Sequence, residues 1–519
     1  MDPAGLSTYR IQIRKIWDDQ PLALIMALAI LFRLLAAIFA KGWGMFDDHY
    51  IVIESAQSWV DGHDYNNWLP WSPGNTGPTA HNFFYPGINF LLFTLMKFLH
   101  LNDPQLKMFF MRLILAAWSL ITVYYGYRIT ESLGGKNPAR LAGILLALFW
   151  FMPWMSVRNL VEMVCVPFII LGYWFIVRPE NKTKPALSWF IAGLFLGLAT
   201  DIRLQAVFFP IGLGIWLLFQ GKFKPLLSLA AGSLLTFILF EGGIDFVIWG
   251  KPFIEIYTYA TLSLTEINDY IVLPWYNYFL VLGGMLIPPI SIFLFWGFIR
   301  KWKQYLLVFL PILLFLLFHS WVPNKQERFI IPMIPLFIMI GSIGWTGFRE
   351  KSVFWAKHKS LLRSCWIFFW TLNTIVMLVF TFTYSKRSMA ESMTYLSKYP
   401  EIKYMTAIDQ ENNPEMFPKY YLGQWPVMGN EKNGNRSPDS ILVYSLGNGN
   451  ACAPRFVLFT GEGDISELVK KSRQYLPFLV WETTIQPGFI DRLVHWLNPI
   501  NRNKTVYIYR NTEFFPEKK

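Results

Sequence analysis

Long apolar runs separated by short polar clusters dominate the chain up to about residue 385. Runs of about 17–25 residues predict helices that cross a bilayer. They fall near 22–40, 109–127, 139–154, 163–177, 186–200, 204–219, 225–248, 276–299, 304–320, 329–347 and 364–383. A further run, 83–99, is short and opens Phe83-Phe84-Tyr85-Pro86-Gly87. Only Asp201-Ile202-Arg203 separates 186–200 from 204–219. That triplet is either a tight turn at a membrane face or a helix break lining a polar cavity. Residues 50–60 space their apolar side chains helically and predict a short helix lying flat on the membrane. After about 386 the pattern changes. Short apolar runs such as 440–444 and 478–481 sit among Lys, Glu, Asn, Gly and Pro, and Thr505–Tyr509 alternates like a strand. The prediction is an α-helical polytopic membrane domain of about eleven spans over 1–385. A small soluble α/β or α+β domain follows over 386–519. Neither an internal repeat nor an inverted pairing of halves is visible.

Composition agrees. Of 519 residues, 54% are hydrophobic and 15% charged, and the mean hydropathy is +0.34. Soluble domains carry about 25% charged residues. An ordinary cytosolic protein, a disordered chain and a nucleic-acid binder are excluded. The 46 Phe, 24 Tyr and 23 Trp fit lipid-facing segments with interfacial belts. The polar, basic start lacks a small-residue cleavage site, so the first span reads as uncleaved. Cys165, Cys365 and Cys452 allow neither a disulfide framework nor a zinc spacing.

The net charge of +12 orients the chain. Arg10, Arg14 and Lys15 precede the first span, which places the N-terminus in the cytoplasm. If 83–99 is re-entrant or surface-lying, the basic loops all share that side. They are Arg128/Lys136/Arg140, Arg178/Lys182/Lys184, Lys222/Lys224, Arg300/Lys301/Lys303 and the 349–363 cluster. The opposite loops hold Asp47, Asp48, Glu54, Asp61, Asp64, Glu162, Glu255, Glu266, Asp269 and Glu327. The C-terminal domain then lies outside the cytoplasm. A bacterial inner membrane is the expected setting.

The first outside loop, 42–82, carries five acids and is dense in Trp, Pro, Gly and Asn. Asp47 and Asp48, directly before the short helix, suit a general base or a helix N-cap. His49, His63 and His81 are irregularly spaced, and His49 reads as a surface or substrate contact rather than a metal ligand. Arg158 and Glu162 have helical i,i+4 spacing, as an ion pair at a boundary would. Arg203 sits near membrane depth, where a base is costly and tends to be functional. Lys251, in Trp249-Gly250-Lys251-Pro252, is either an interfacial anchor or a site residue. Pro323-Asn324-Lys325-Gln326-Glu327-Arg328-Phe329 places two bases and an acid on the face where bases are scarce. A lipid-linked phosphate needs such groups. Gly134-Gly135 lacks the Lys-Ser/Thr of a P-loop, which argues against ATP.

These residues resemble the GT-C glycosyltransferases, and most of all glycosyltransferase family 22, over roughly 20–350. Phe46-Asp47-Asp48-His49 stands where that family has His-Pro-Asp-Glu. Trp249-Gly250-Lys251 resembles its aromatic-Gly-Lys element, and Pro274-Trp275-Tyr276-Asn277-Tyr278 its Pro-Trp-x-x-Tyr element. Asn324-Lys325-Gln326-Glu327-Arg328-Phe329 matches four of six positions of His-Lys-Glu-Glu-Arg-Phe. The Arg158–Glu162 and Arg203 positions resemble arginine-bearing outside segments more loosely. The resemblance implies inverting transfer of a sugar, mannose by family expectation, from a polyprenyl-phosphate donor to a hydroxyl of a glycan or glycolipid on the extracytoplasmic face. Asp47 or Asp48 is then the base. Lys325, Arg328, Arg203 and Lys251 hold the donor phosphate, with Glu327, His49, Arg158, Glu162, Trp275 and Tyr278 in support. The chemistry requires no cofactor, and the first-loop acids leave a divalent metal as an option. The partners implied are the donor, the acceptor and the bilayer, with no nucleic acid. The rival from another class is a lipid or glycan flippase or transporter, which should show a repeat and polar residues along several helix cores.

Overall fold

The computed structural model describes residues 14–178, 183–265, 272–411, 416–428, 454–497 and 503–513. Arg10, Lys182, Glu266, Asp269, the 440–444 run and Cys452 lie outside the described residues. Among those described, six helices are long and apolar enough to cross a membrane. They are Pro21–Phe39, Pro104–Gly134, Pro185–Ile202, Phe223–Trp249, Glu327–Lys351 and Lys359–Thr381. Four shorter apolar helices accompany them, Val161–Val177, Leu204–Phe219, Ile290–Arg300 and Leu306–Trp321. Two of the expected spans are split. The 276–299 run divides into Asn277–Met285 and Ile290–Arg300, because Pro288 and Pro289 have no N–H to continue a helix. The 139–154 run breaks after Leu148, and the freed backbone groups find partners. Arg33, buried inside the first span, donates to the carbonyls of Leu146 (3.3 Å) and Ala147 (3.1 Å) and to Ser119 Oγ (2.8 Å). Asn373 donates to the Leu148 carbonyl at 2.7 Å and accepts from the Trp150 N–H at 2.9 Å. The Phe84–Phe98 helix has 15 residues and reaches about 22 Å, short of an upright crossing.

The chain forms two compact units. The first comprises 1–38, 67–88 and 111–382. Its Ile334–Lys351 helix is apolar on every side and buried over most of its length. The Pro185–Ile202 and Phe223–Thr236 helices cross closely where two glycines meet. A Cβ on Gly232 would lie 2.2 Å from the Phe190 carbonyl oxygen, and one on Gly193 would lie 2.3 Å from that of Leu229. Only small residues permit that approach.

The second unit comprises 39–66, 89–110 and 383–519. It contains a five-stranded sheet of β1 (Tyr404–Asp409), β2 (Val427–Met428), β3 (Phe456–Gly461), β4 (Leu479–Ile485) and β5 (Thr505–Asn511), in the order β2-β1-β3-β5-β4. The β2, β1 and β3 strands run parallel, and β5 and β4 are antiparallel additions. The β3 strand is buried along its whole length, and its first four residues, Phe456–Phe459, are a continuous apolar run, as in a strand covered on both faces. Ile408, Val457, Phe459, Ile465, Val469, Leu476 and Leu479 form one core. The 50–60 stretch does not lie on a membrane surface as its spacing suggested. A π-helical Asp47–Glu54 and the α-helical Ser55–Val60 are largely buried in this unit. Apolar residues at helical spacing suit a protein interior as well as lipid.

Candidate active site

The first unit builds a cationic cluster from three chain breaks. The Val161–Val177 helix opens with Glu162 in its first turn, fully buried. The Pro185–Ile202 helix ends at Arg203, whose extended backbone (φ −142°, ψ 107°) stops the helix and turns the side chain aside. The turn after Gln326 presents Arg328. Arg203 Nη1 lies 2.9 Å from Glu162 Oε1, and Arg328 Nε lies 3.6 Å from the same oxygen. Arg328 Nε also donates to Gln326 Oε1 at 2.8 Å. The Phe329 ring stands 4.9 Å from the Arg203 guanidinium and 5.5 Å from that of Arg328. Two cations thus share one buried carboxylate.

Lys325 has a different situation from the one its sequence position suggested. Its ammonium donates to the carbonyls of His319 (3.0 Å), Ser320 (2.8 Å) and Val322. An ammonium has three donors, so all are engaged at the C-terminal end of the Leu306–Trp321 helix. A cation is favoured there by the helix dipole, while burial lowers its pKa below the ordinary lysine value. Tyr278, buried beneath it, places its ring 5.4 Å from the ammonium and donates to the Gln326 carbonyl at 3.3 Å. Leu273 N–H donates to the Pro323 carbonyl at 3.2 Å. Lys325 and Tyr278 therefore clamp the turn that carries Arg328.

The remaining predicted residues of this unit are Arg158, Lys251, Glu327 and Trp275. Arg158 precedes its helix instead of lying one turn before Glu162 on it. It is buried with its guanidinium 5.1 Å from the Trp154 ring. Lys251 is exposed, just after the left-handed Gly250 that ends a helix. Glu327 and Trp275 are exposed as well.

A second cluster of this unit escaped the sequence reading. Asp201, Glu241, Asp245 and Glu255 are all buried. Asn82 Nδ2 donates to the Asp201 carbonyl at 2.7 Å and to Glu241 Oε2. Glu255 Oε2 accepts from the N–H groups of Thr79 (2.9 Å) and Ala80 (2.6 Å), and its own N–H donates to Asp245 Oδ2 at 3.0 Å. Burial pushes the Glu255 carboxyl up to about 7. The signal was available. Glu241 and Asp245 lie four apart inside the apolar 225–248 run, and ionisable residues at such depth are seldom idle. Among the described residues no three His, Cys, Asp or Glu side chains are arranged to hold a metal ion.

The second unit holds the two adjacent acids. Asp48 is buried, and its oxygens accept from the N–H groups of Gly44 (3.2 Å) and Met45 (3.1 Å). It closes the turn before the helix. Asp47, half-buried, opens that helix. His49 is an interior residue, not a surface contact. Its ring stacks on Trp43 (4.5 Å between centroids) and Tyr421 (5.4 Å), with Nε2 3.4 Å from Glu54 Oε1. Glu54 Oε1 in turn accepts from the Tyr420 N–H at 3.0 Å. The C-terminal part of the chain thus braces the helix that Asp47 begins.

Residues 24–422 match the Alg9-like mannosyltransferase family. Among curated relatives, GPI mannosyltransferase 3 of Debaryomyces hansenii is 23% identical over 417 residues, covering 75% of this chain and 70% of its own length. Mannosyltransferase APTG1 of Arabidopsis thaliana is 23% identical over 397 residues, with 72% and 70% covered. Among solved structures, ArnT from Cupriavidus metallidurans bound to undecaprenyl phosphate superposes with a TM-score of 0.61 at 12% identity, covering 94% of this chain and 97% of its own. The archaeal oligosaccharyltransferase AglB from Archaeoglobus fulgidus, in complex with an inhibitory peptide and a dolichol-phosphate, gives 0.52 at 10% identity, covering 97% and 75%. Identities this low speak to the fold, which is GT-C with a small C-terminal sheet domain.

Proposed function

This chain belongs to the Alg9-like mannosyltransferase family, and from that premise we propose that it transfers mannose from a polyprenyl-phosphate carrier to a hydroxyl of a glycan or glycolipid, with inversion, on the extracytoplasmic face. Membership makes it a multi-pass membrane mannosyltransferase, as the motif resemblance implied, and sets the transporter rival aside. The curated relatives are eukaryotic and lend no weight to a bacterial source. The polyprenyl carrier draws support from the fold neighbours, whose bound molecules are undecaprenyl phosphate and a dolichol-phosphate. The extracytoplasmic face draws support from the charge asymmetry of the loops.

The observation that carries the reading is the convergence of Arg203 and Arg328 on the buried Glu162. Arginines held in a buried place suit the phosphate of a lipid-linked donor, which a guanidinium grips with paired hydrogen bonds. In the reaction the acceptor hydroxyl attacks the anomeric carbon, its proton passes to a carboxylate, and the bond from that carbon to the phosphate oxygen breaks. The departing polyprenyl phosphate gains negative charge. Arg328 and Arg203 stabilise that charge from fixed positions, which is where such groups contribute most. Glu162 positions both arginines. Lys325 and Tyr278 position the turn that bears Arg328. Asp47 or Asp48 is the base, and Asp48 also accepts from two backbone N–H groups.

The test is initial-rate mannose transfer from a polyprenyl-phosphate-mannose donor in proteoliposomes. Asp47→Asn and Asp48→Asn are measured separately, and the variant that loses the base lowers turnover by about 100- to 10,000-fold. Asp48→Asn keeps the side-chain oxygen that caps the turn. If both variants retain near wild-type turnover at normal expression, the base assignment is wrong.

A further inference from the structure

The Phe489–Leu497 helix of the second unit leaves one apolar stripe uncovered. Phe489 is 72% exposed, Leu493 38%, Trp496 76% and Leu497 67%. Their spacing of i, i+4, i+7 and i+8 puts them on one face of an α-helix. The opposite face is occupied within the unit. Asp491 is buried there, and His495 Nε2 lies 3.1 Å from Glu462 Oε1. Scattered exposed apolar residues need no explanation, but a contiguous stripe marks an interaction surface.

Two observations identify what covers it. The first is a tether. Asp491 accepts the N–H groups of Lys386 and Arg387, each at 3.1 Å, and its own carbonyl accepts from Asn503 Nδ2 at 3.1 Å. Lys386 follows the end of the long apolar Lys359–Thr381 helix by only five residues. Five residues reach at most about 18 Å, so chain length alone keeps the helix that bears Asp491 within a short tether of the last residue of a membrane-spanning helix. The second is charge. Arg492 falls beside Trp496 on the helical wheel, and Arg387 and Arg492 are both exposed. A basic flank beside Phe, Leu and Trp suits a surface of lipid headgroups, with the aromatic ring at the interface.

We propose that Phe489–Leu497 lies in the bilayer interface, with Phe489, Leu493, Trp496 and Leu497 inserted at the boundary of headgroups and acyl chains. The helix anchors the C-terminal part of the chain to the lipid surface. It is an interfacial element in its own right, additional to the spans.

The experiment uses the full chain in nanodiscs of zwitterionic and anionic phospholipid, with a photoreactive benzoylphenylalanine at position 497, at 493, or at 470 on the exposed side of the Ser466–Tyr475 helix. After irradiation, phospholipid adducts are counted by mass spectrometry. Position 497 and position 493 each give at least about tenfold more lipid adduct than position 470, as buried interfacial side chains should. Equal yields at 497 and 470 overturn the proposal. So do adducts at 497 that join two copies of the chain instead of a lipid. All the substituted side chains are exposed, and retained mannose transfer confirms that each variant is folded.

Discussion

Glu162 and Asp201 are both carboxylates sealed from solvent in the first unit, and the fold treats them in opposite ways. Glu162 holds Arg203 and Arg328 on one oxygen. Asp201, two residues before Arg203, has no hydrogen-bond partner for either carboxylate oxygen among the described residues. The groups around it are more acids, with Asn82 as the donor between its carbonyl and Glu241. The short Asp201-Ile202-Arg203 segment therefore separates a cationic cluster from an acidic one. The difference teaches that buried charge alone does not mark a reacting centre. What separates the two is the sign of the neighbours. The Glu162 cluster brings two arginines to one carboxylate. The Asp201 cluster instead ties down a loop, since Glu255 accepts from Thr79 and Ala80 and Asn82 reaches Asp201 and Glu241.

The sharpest way to break that contrast is by activity. Arg328→Ala removes one of the two cations on Glu162 and leaves it paired with Arg203. Mannose transfer in proteoliposomes should fall by about 100- to 1,000-fold, as for the loss of one fixed group that stabilises a developing anion. Asp201→Asn, of the same shape, should lower it less than about tenfold on the same scale. Equal losses would mean that both clusters serve the reaction. Stability gives the next largest effect. Arg203→Leu takes the nearer partner from a fully buried carboxylate and should destabilise by about 3 kcal/mol, read as a lower unfolding midpoint of the purified protein. Asn82→Ala removes the donor shared by Glu241 and the Asp201 carbonyl, and should cost about 1–3 kcal/mol. An unchanged midpoint in the second variant would show that the acidic cluster does not depend on Asn82.

Much of this was legible in the chain because lipid imposes a simple rule. Apolar runs of spanning length became helices at 21–39, 185–202, 334–351 and 359–381, and Arg203 and Arg328 stood out as bases among acids. What the pattern could not carry was which solvent an apolar face meets. Residues 50–60 have the same spacing whether they rest on lipid or pack beneath Tyr420 and Tyr421. Lys325 looked like a phosphate ligand because its sequence neighbours are polar. Its carbonyl partners, contributed by residues three to six positions earlier, are fixed only once the 306–321 helix ends at Trp321. Arg33 illustrates the same limit. It lies inside the first span, and the carbonyls that satisfy it are more than 110 residues away.

The acidic side of the contrast also responds to pH. Burial pushes Glu255 up to about 7 from its ordinary 4.5, nearby Asp245 adds to the rise, and the Ala80 and Thr79 N–H groups and the Trp249 indole work against it. The folded chain then binds this proton more tightly than the unfolded chain does. Stability from this group is fully present below pH 4.5, declines as pH rises, and is lost by the time pH has passed through about 7. Glu255→Gln keeps a side-chain oxygen for both N–H groups and cannot titrate. The wild-type unfolding midpoint should therefore drop relative to that of the variant between pH 4.5 and 7. Curves that stay parallel across this window would show that Glu255 is already charged in the folded state, and that the acidic cluster is balanced by cations as the Glu162 cluster is.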